Sequence, residues 1–277
     1  FFFTLISAFS FSQTESLFAG YWNNYSLFNP AAAGVENDQY AAINHRFQWT
    51  GINGAPISFT ANVESKVEDM EGAIGAGFYR ESFGITKQNR GYITYAYHYD
   101  INEDAVFSIG SSVLYDRIHF DYDLDPNDPS SPGAVSNGSL NFNLGAYFSM
   151  NNFTAGLSTT QLRQVRYNDV SVFNLRHYYL MGAYTLEASD FFSWKPSILI
   201  RLVNGLPGTF EINNRIEFAK TFWLGATYRN TSRVGFQAGF LFKERFTLGY
   251  AQEITSYGGL VVSLVDYRLL MRFSLRL

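Results

Sequence analysis

Residues 233–254, RVGFQAGFLFKERFTLGYAQEI, repeat with a period of two. Val234, Phe236, Ala238, Phe240 and Phe242 share one face against Gly235, Gln237, Gly239 and Lys243. Past the turn, Phe246, Leu248 and Tyr250 oppose Thr247, Gly249, Ala251 and Glu253. Alternation of this kind is strand patterning with one apolar side. The same reading holds for Leu140, Phe142, Leu144, Ala146 and Phe148 against Asn141, Asn143, Gly145 and Ser149. A soluble sandwich would pack mixed aliphatics on its greasy face. Here that face is Phe, Leu and Tyr, and the opposite one is Gly, Ser, Asn and charge, the dyad pattern of a lipid-facing barrel wall.

Composition points the same way. Of 277 residues, 47% are hydrophobic and 18% aromatic, yet only 16% are charged, below the roughly 25% of ordinary soluble domains. The mean hydropathy of -0.09 is too low for a helical membrane bundle, and no stretch approaches the roughly 20 apolar residues that a spanning helix needs. A net charge of -4 argues against a nucleic-acid partner. The opening run FFFTLISAFSF resembles the tail of a secretory signal, so residues 1–12 are set apart as a signal-peptide remnant. Export with zero Cys suits an envelope protein that folds without disulfides.

Turn signals divide the rest into about fourteen strands, each near the length of roughly ten residues that a tilted membrane strand requires. They begin near Asp38, Pro56, Gly72, Asn89, Asp104, Gly138, Asn152, Phe173, Phe192, Gly208, Thr221, Arg233, Arg245 and Asp266. Even-to-odd connections are short, whereas the long segments, residues 119–137, 161–172 and 255–265, fall on odd-to-even connections. Such barrels keep short turns in the periplasm and long loops outside, which orients the chain. The last strand alternates through Leu269, Met271, Phe273, Leu275 and Leu277, like the terminal signal read by barrel-assembly machinery. The expected architecture is therefore an all-β, antiparallel transmembrane outer-membrane β-barrel over residues 38–277. Residues 13–37, irregular, aromatic and Asn-rich, are expected to pack in or under its lumen as a plug or periplasmic segment.

Candidate chemistry is sparse. His45, His98, His119 and His177 lie far apart with no metal-ligand spacing, and no nucleophile elbow or phosphate loop is present. No catalytic residue, metal or cofactor is expected. Asp121, Asp123, Asp125 and Asp128 crowd one long loop that could hold calcium, but they lack the EF-hand order, and a solvated acidic loop is the simpler reading. Arg201, Glu211, Arg215 and Glu217 would face the lumen, either lining a channel or closing it with ion pairs. Gly75, Gly77, Gly225, Gly235, Gly239 and Gly249 recur at strand period and would thin the wall or admit a plug. Trp49, Trp194 and Trp223 fall near strand ends, where amphipathic rings favour the membrane interface.

Two segments carry a resemblance. The run NPAAAG, Asn29 to Gly34, and RFQWTGINGAPISF, Arg46 to Phe59, resemble the NPAxAG and RxQWxGxxGAP signatures of the PorP/SprF family of type IX secretion system membrane proteins. The likeness continues through KPSILIR at Lys195 to Arg201, FEINNRIEFAKTFWLGATYRN at Phe210 to Asn230, and the hairpin first quoted. Ala32 stands where the family often has an aromatic, and the last strand has Leu and Arg at points where the family has Gly or polar residues. The resemblance implies an outer-membrane barrel of Bacteroidota-type bacteria, not an enzyme. It implies partnership with other type IX components in exporting and anchoring large adhesins, gliding adhesins among them, through the cargo's C-terminal domain. The signature marks Asn29, Pro30, Ala31, Gly34, Arg46, Gln48, Trp49, Gly51, Gly54, Ala55 and Pro56 as partner-binding candidates. Asn29, Pro30 and Gly34 would fix the N-terminal segment, and the others would shape the first outer turn or the lumen against it. The rival readings are a general porin or small-solute channel and, last, a barrel hydrolase.

Overall fold

The computed structural model describes residues 20–121, 134–164, 175–243, 245–257 and 260–272, with side chains described as far as residue 255. Fifteen strand segments form one antiparallel sheet. They are β1 (Gln39–Gln48), β2 (Ile57–Val67), β3 (Gly72–Phe83), β4 (Thr86–Asn102), β5 (Ala105–Asp121), β6 (Ala134–Met150), β7 (Phe153–Thr160) and β8 (His177–Tyr184). There follow β9 (Leu186–Ser189), β10 (Phe192–Val203), β11 (Thr209–Phe218), β12 (Phe222–Arg229), β13 (Arg233–Phe242), β14 (Phe246–Tyr257) and β15 (Leu260–Arg272). Both β8 and β9 pair with β10, on successive lengths of it, so they are two parts of one stave and the staves number fourteen. Each stave pairs with its neighbour in sequence, β10 pairs with β11, and β1 pairs with β15 from Tyr40↔Arg272 to Gln48↔Leu264. The ring is therefore closed around all fourteen staves, the sheet arrangement that satisfies backbone groups in lipid, with the four residues of β9 extending past the end of β7 and pairing with β10.

Parity within each strand separates two environments. Outward positions carry exposed apolar side chains such as Ile93, Leu157, Phe236, Phe240 and Leu248, and inward positions carry buried polar ones such as Asn44, Ser108, Asp116, Asn141 and Glu211. In a water-soluble protein this distribution would be inverted; in a bilayer it is the required one. At the end of the barrel with the short turns, Tyr97, Phe107, Phe153, Tyr184, Phe218 and Phe246 face outward, a girdle suited to the membrane interface. β4, β5 and β6 are 17 residues each, longer than the roughly 9–11 residues needed to cross, so these staves run beyond the hydrocarbon layer.

The all-β barrel expected from the sequence is present, and several details differ. β15 begins at Leu260 rather than near Asp266, so residues 255–265 are mostly strand and leave at most two residues between β14 and β15. Val261, Val262 and Val265 supply the β-branched character that sustains pairing. β8 begins at His177, four residues past the expected Phe173, which lies outside the described residues. Trp223 is buried and faces the lumen rather than the interface, because it shares parity with Thr227 and Arg229 and finds an indole partner inside. The signal remnant, the acidic positions Asp123, Asp125 and Asp128, and the final residues from Phe273 lie outside the described residues.

Candidate functional site

The lumen is occupied by the chain itself. Three 3-10 turns, η1 (Tyr21–Asn23), η2 (Tyr25–Leu27) and η3 (Pro30–Ala32), lead from residue 20 toward β1. Tyr21, Trp22, Tyr25, Phe28, Ala31 and Ala32 cluster with Tyr147, Tyr179, Met181, Leu199 and Trp223 of the wall. This is the hydrophobic core of the molecule, and it lies inside a barrel whose outer surface is also apolar. Trp22 meets Trp223 edge to face with ring centroids 5.1 Å apart, and the Arg215 guanidinium lies 3.8 Å from the centroid of the Trp22 ring, a desolvated cation–π contact.

Asn29 is the anchor of this plug and is fully buried. Its Oδ1 accepts from Ala31 N–H at 3.0 Å, capping η3, and its Nδ2 donates to the carbonyls of Ala146 at 3.0 Å and Leu157 at 3.4 Å. Pro30 opens the turn with its backbone preset and no N–H to satisfy. Gly34 has a φ of 69° and donates its N–H to Glu64 at 3.4 Å; a Cβ here would meet Ala73 Cβ at 2.3 Å. Glu64 also accepts from Ser26 Oγ and from Asn62 Nδ2 at 3.0 Å, while Asn24 donates to Asn62 at 2.7 Å. Tyr40 donates to the Asn23 carbonyl, Ser158 to the Phe28 carbonyl and Trp22 to Gln237, and His98 Nε2 lies 2.9 Å from the Ala33 carbonyl. Burial pushes the Tyr21 and Tyr25 phenols above their ordinary pKa, with Glu211 and Glu36 adding in the same direction, so both stay neutral.

Above the plug the lumen is ionic. Arg229 donates to Glu211 from Nε at 2.7 Å and from Nη2, and its Nη2 reaches Glu253 at 3.3 Å. Arg46 lies 3.9 Å from Glu253. Across the lumen Arg90 donates to Asp116 at 2.6 Å, and Gln88 donates to the same carboxylate. Lower down Lys195 pairs with Glu217 at 2.9 Å, and Arg215 donates to Asn23 of the plug at 3.3 Å. Of the lumen-facing charges that the sequence left open, Glu211, Arg215 and Glu217 are thus joined in ion pairs, and Arg201 donates from Nε to Thr209 at 3.3 Å. Between plug and wall remains a narrow pocket lined by Phe28, Tyr79, Arg90 and Tyr92 among others.

The structure divides the signature residues. Asn29, Pro30, Ala31 and Gly34 lie in the half of the lumen nearest the short turns, and Arg46 lies higher on β1. Gln48, Trp49, Gly51, Gly54, Ala55 and Pro56 form the β1–β2 hairpin at the opposite rim. Eight residues of β1 separate Tyr40, at plug level, from Gln48, roughly 26 Å of strand, so the hairpin is not shaped against the N-terminal segment. Its own bonds brace it: Gln48 N–H to the Pro56 carbonyl at 2.9 Å, Ala55 N–H to Ile52, and Gly84 N–H of the next hairpin to Gly54 at 2.8 Å. Trp49 (φ 54°), Gly51 and Gly54 hold left-handed backbone, and Trp49 and Ile52 are exposed.

Sequence reasoning missed Gly110, Gly145 and Gly156, the wall glycines that admit the plug. A Cβ on Gly110 would stand 2.4 Å from Ala31 N, and one on Gly145 1.9 Å from Asn29 Oδ1. Inward parity at Gly positions was the available signal. The glycines singled out serve other ends: Gly239 makes room for Trp223 and Gly77 for Tyr92.

A family model described as "Type IX secretion system membrane protein PorP/SprF" matches residues 10–261. No curated protein matches. Among solved structures, the CymD monoaromatic hydrocarbon channel is similar at TM-score 0.58 and 11% identity, covering 91% of this chain and 93% of its own. The P. putida toluene transporter TodX gives 0.58 at 10% identity, over 91% and 95%. A Pseudomonas aeruginosa FadL homologue gives 0.51 at 11%, over 89% and 93%. At such identities the likeness concerns the outer-membrane barrel fold alone.

Proposed function

Because the chain belongs to the PorP/SprF family of type IX secretion system membrane proteins, we propose that it is a plugged, non-enzymatic barrel that supports export and surface anchoring of a large adhesin-type cargo by binding the cargo's C-terminal domain. Membership itself makes it an outer-membrane component of that system, with other secretion components as partners. In this reading the rim with the longer connections faces outside, and cargo is held there.

The observation that carries the reading is the filled lumen. The aromatic cluster around Tyr21, Trp22 and Tyr25 is tied to staves on all sides, so the wall acts as a rigid scaffold rather than a conduit for polypeptide. The braced β1–β2 hairpin offers a docking point: exposed Trp49 and Ile52 on a fixed backbone have the character of an interface anchor. Gln48, Gly51, Gly54, Ala55 and Pro56 then act by shaping that turn, and Asn29, Pro30, Ala31, Gly34 and Arg46 act from within by holding the barrel's interior. The small-solute channel is the second reading, favoured by the pocket beside Phe28 and Arg90.

A tagged pull-down from outer membranes in mild detergent, with mass spectrometry of stoichiometric partners, tests the proposal. A large multi-repeat surface protein retained through its C-terminal domain, and lost with Trp49→Ala at unchanged barrel level, is the expected result. A bare barrel that conducts ions in planar bilayers would replace the anchor with the channel.

A further inference from the structure

The outer face of β3, β4 and β5 changes character near the rim with the longer connections. Outward positions on these staves are largely apolar up to Phe78, Ile93 and Tyr115 and then become cationic, with Arg80, Lys87 and Arg117 exposed on the outside of the wall. Register places the three together. Arg80 stands opposite Asn89 and Asn89 opposite Arg117, while Lys87 stands opposite Ser82 and His119 one outward row higher. Arg80 and Arg117 are therefore two strand spacings apart, roughly 9.5 Å, and Lys87 is roughly 7 Å along its strand from Asn89. The patch lies at a membrane boundary. From Phe107 of the aromatic girdle to Arg117 is roughly 34 Å of β5 and about 26 Å of height at a tilt of about 40°, against an apolar band about 25 Å tall.

None of the three cations forms a hydrogen bond or ion pair among the described residues. The carboxylates nearest them on these staves, Glu81 and Asp116, face the lumen, where they accept from Ser58 and Arg90. Asp121, the outward acid of β5, lies a row beyond His119, opposite Ala134, and His119 Nδ1 is 2.9 Å from Ser136 Oγ. One carboxylate at the edge against three cations leaves the patch positive. Elsewhere the same boundary is uncharged: the outward residues nearest this rim are Tyr178 of β8, Leu202 of β10, Phe210 of β11, Tyr228 of β12, Val234 of β13 and Ile254 of β14. Directly beneath Asn89 the apolar row has a gap. Gly91 stands between Phe78 and Tyr115, a Cβ on it would meet nothing within 4 Å, and the Tyr115 hydroxyl leans away over Gly138 of β6.

We propose that this face of the barrel binds a phosphate-bearing membrane lipid, its headgroup phosphate on Arg80, Lys87 and Arg117 and one acyl chain in the gap at Gly91. Guanidiniums engage phosphate oxygens through paired N–H donors, and an ammonium adds a point charge. Asn89, between the two arginines, adds an amide donor. Like charges placed this close repel, and an anion from the membrane relieves that repulsion. Phosphate is the anion that a bilayer presents at this depth, directly above its acyl chains, and anionic lipids gather basic side chains near the surface. An acidic protein would make no use of the gap beneath. The assignment requires only that this rim meets a membrane surface, in whichever leaflet, and is independent of the cargo.

Native mass spectrometry of the full chain, released from neutral detergent micelles, tests this with two lipids that differ by the phosphate alone, dioleoyl phosphatidate and dioleoylglycerol. Phosphatidate is expected to be retained saturably, with half-saturation tighter by about tenfold or more. Arg80→Gln, Lys87→Gln and Arg117→Gln combined should abolish that preference, and Arg117→Gln alone should narrow it severalfold; the single variant serves if the triple one does not fold. Lys220→Gln with Lys243→Gln, at the opposite rim, should leave it intact. Gly91→Leu, which fills the gap, should weaken retention of both lipids, and unchanged retention would overturn the placement of the acyl chain. Equal retention of the two lipids by the native chain, or a preference that survives loss of the cations, would overturn the site. Displacement of phosphatidate by millimolar inorganic phosphate would make it a free-anion site instead, and preferential capture of polyglutamate would assign the patch to an acidic protein.

Discussion

Asn29 shows how one side chain can decide whether a segment is ordered. It caps a 3-10 turn with its oxygen and donates to two wall carbonyls with its nitrogen, bonds that no apolar residue of similar size could make. Asn29→Ala should cost about 1–3 kcal/mol of plug attachment, read as faster protease cleavage of residues 20–37 while the barrel stays resistant. Glu211 acts similarly in the ionic layer. Glu211→Ala takes from the buried Arg229 the carboxylate that both its Nε and its Nη2 engage, and breaking such a pair costs about 3–5 kcal/mol. Urea titration of the folded barrel should show the loss, and the double change Glu211→Leu with Arg229→Met should recover most of it. The role of Asn29 was legible as a signature position, whereas that of Arg229 was not: its importance comes from Glu253, 24 residues away.

At the scale of elements, the plug and the wall are fitted to each other through glycines. The alternation of β5 and β6 is readable in the chain, but nothing local says that Gly110 and Gly145 abut Pro30, Ala31 and Asn29. Gly110→Val should force the N-terminal segment out of its seat, since the obstructing atoms are backbone. The expected outcome is ion conductance in planar bilayers that the native barrel lacks, with deletion of residues 20–34 giving the same open state. Equal, low conductance in all three would mean that the ionic layer closes the lumen by itself. The hairpin carrying Gln48 to Pro56 was readable as a turn from its glycines, and its separation from the plug was not.

For the whole molecule, closure rests on the pairing of β1 with β15, which brings together residues more than two hundred positions apart. Directly opposed antiparallel residues have Cα atoms about 4.5–5.5 Å apart, within disulfide range, and the chain has no cysteine of its own. Ala41→Cys with Met271→Cys should therefore cross-link on oxidation and alter gel mobility after denaturation. Ala41→Cys with Leu269→Cys, two residues out of register, should cross-link far less. Comparable yields would mean that the closing register differs.

The chain alone determined the barrel, its wall faces and nearly all its stave boundaries, because a strand between lipid and lumen must alternate residue by residue, and that period is written locally. It also marked the N-terminal segment as something other than wall, since NPAAAG and its aromatic neighbours do not alternate. Only the tertiary structure decided what fills the barrel and at what height. Burial of Trp22 against Trp223, the division of the signature between lumen and rim, and the meeting of Arg229 with Glu253 all depend on register summed around a closed ring. Each stave adds its own offset, so positions distant in sequence meet at levels that no single stretch encodes.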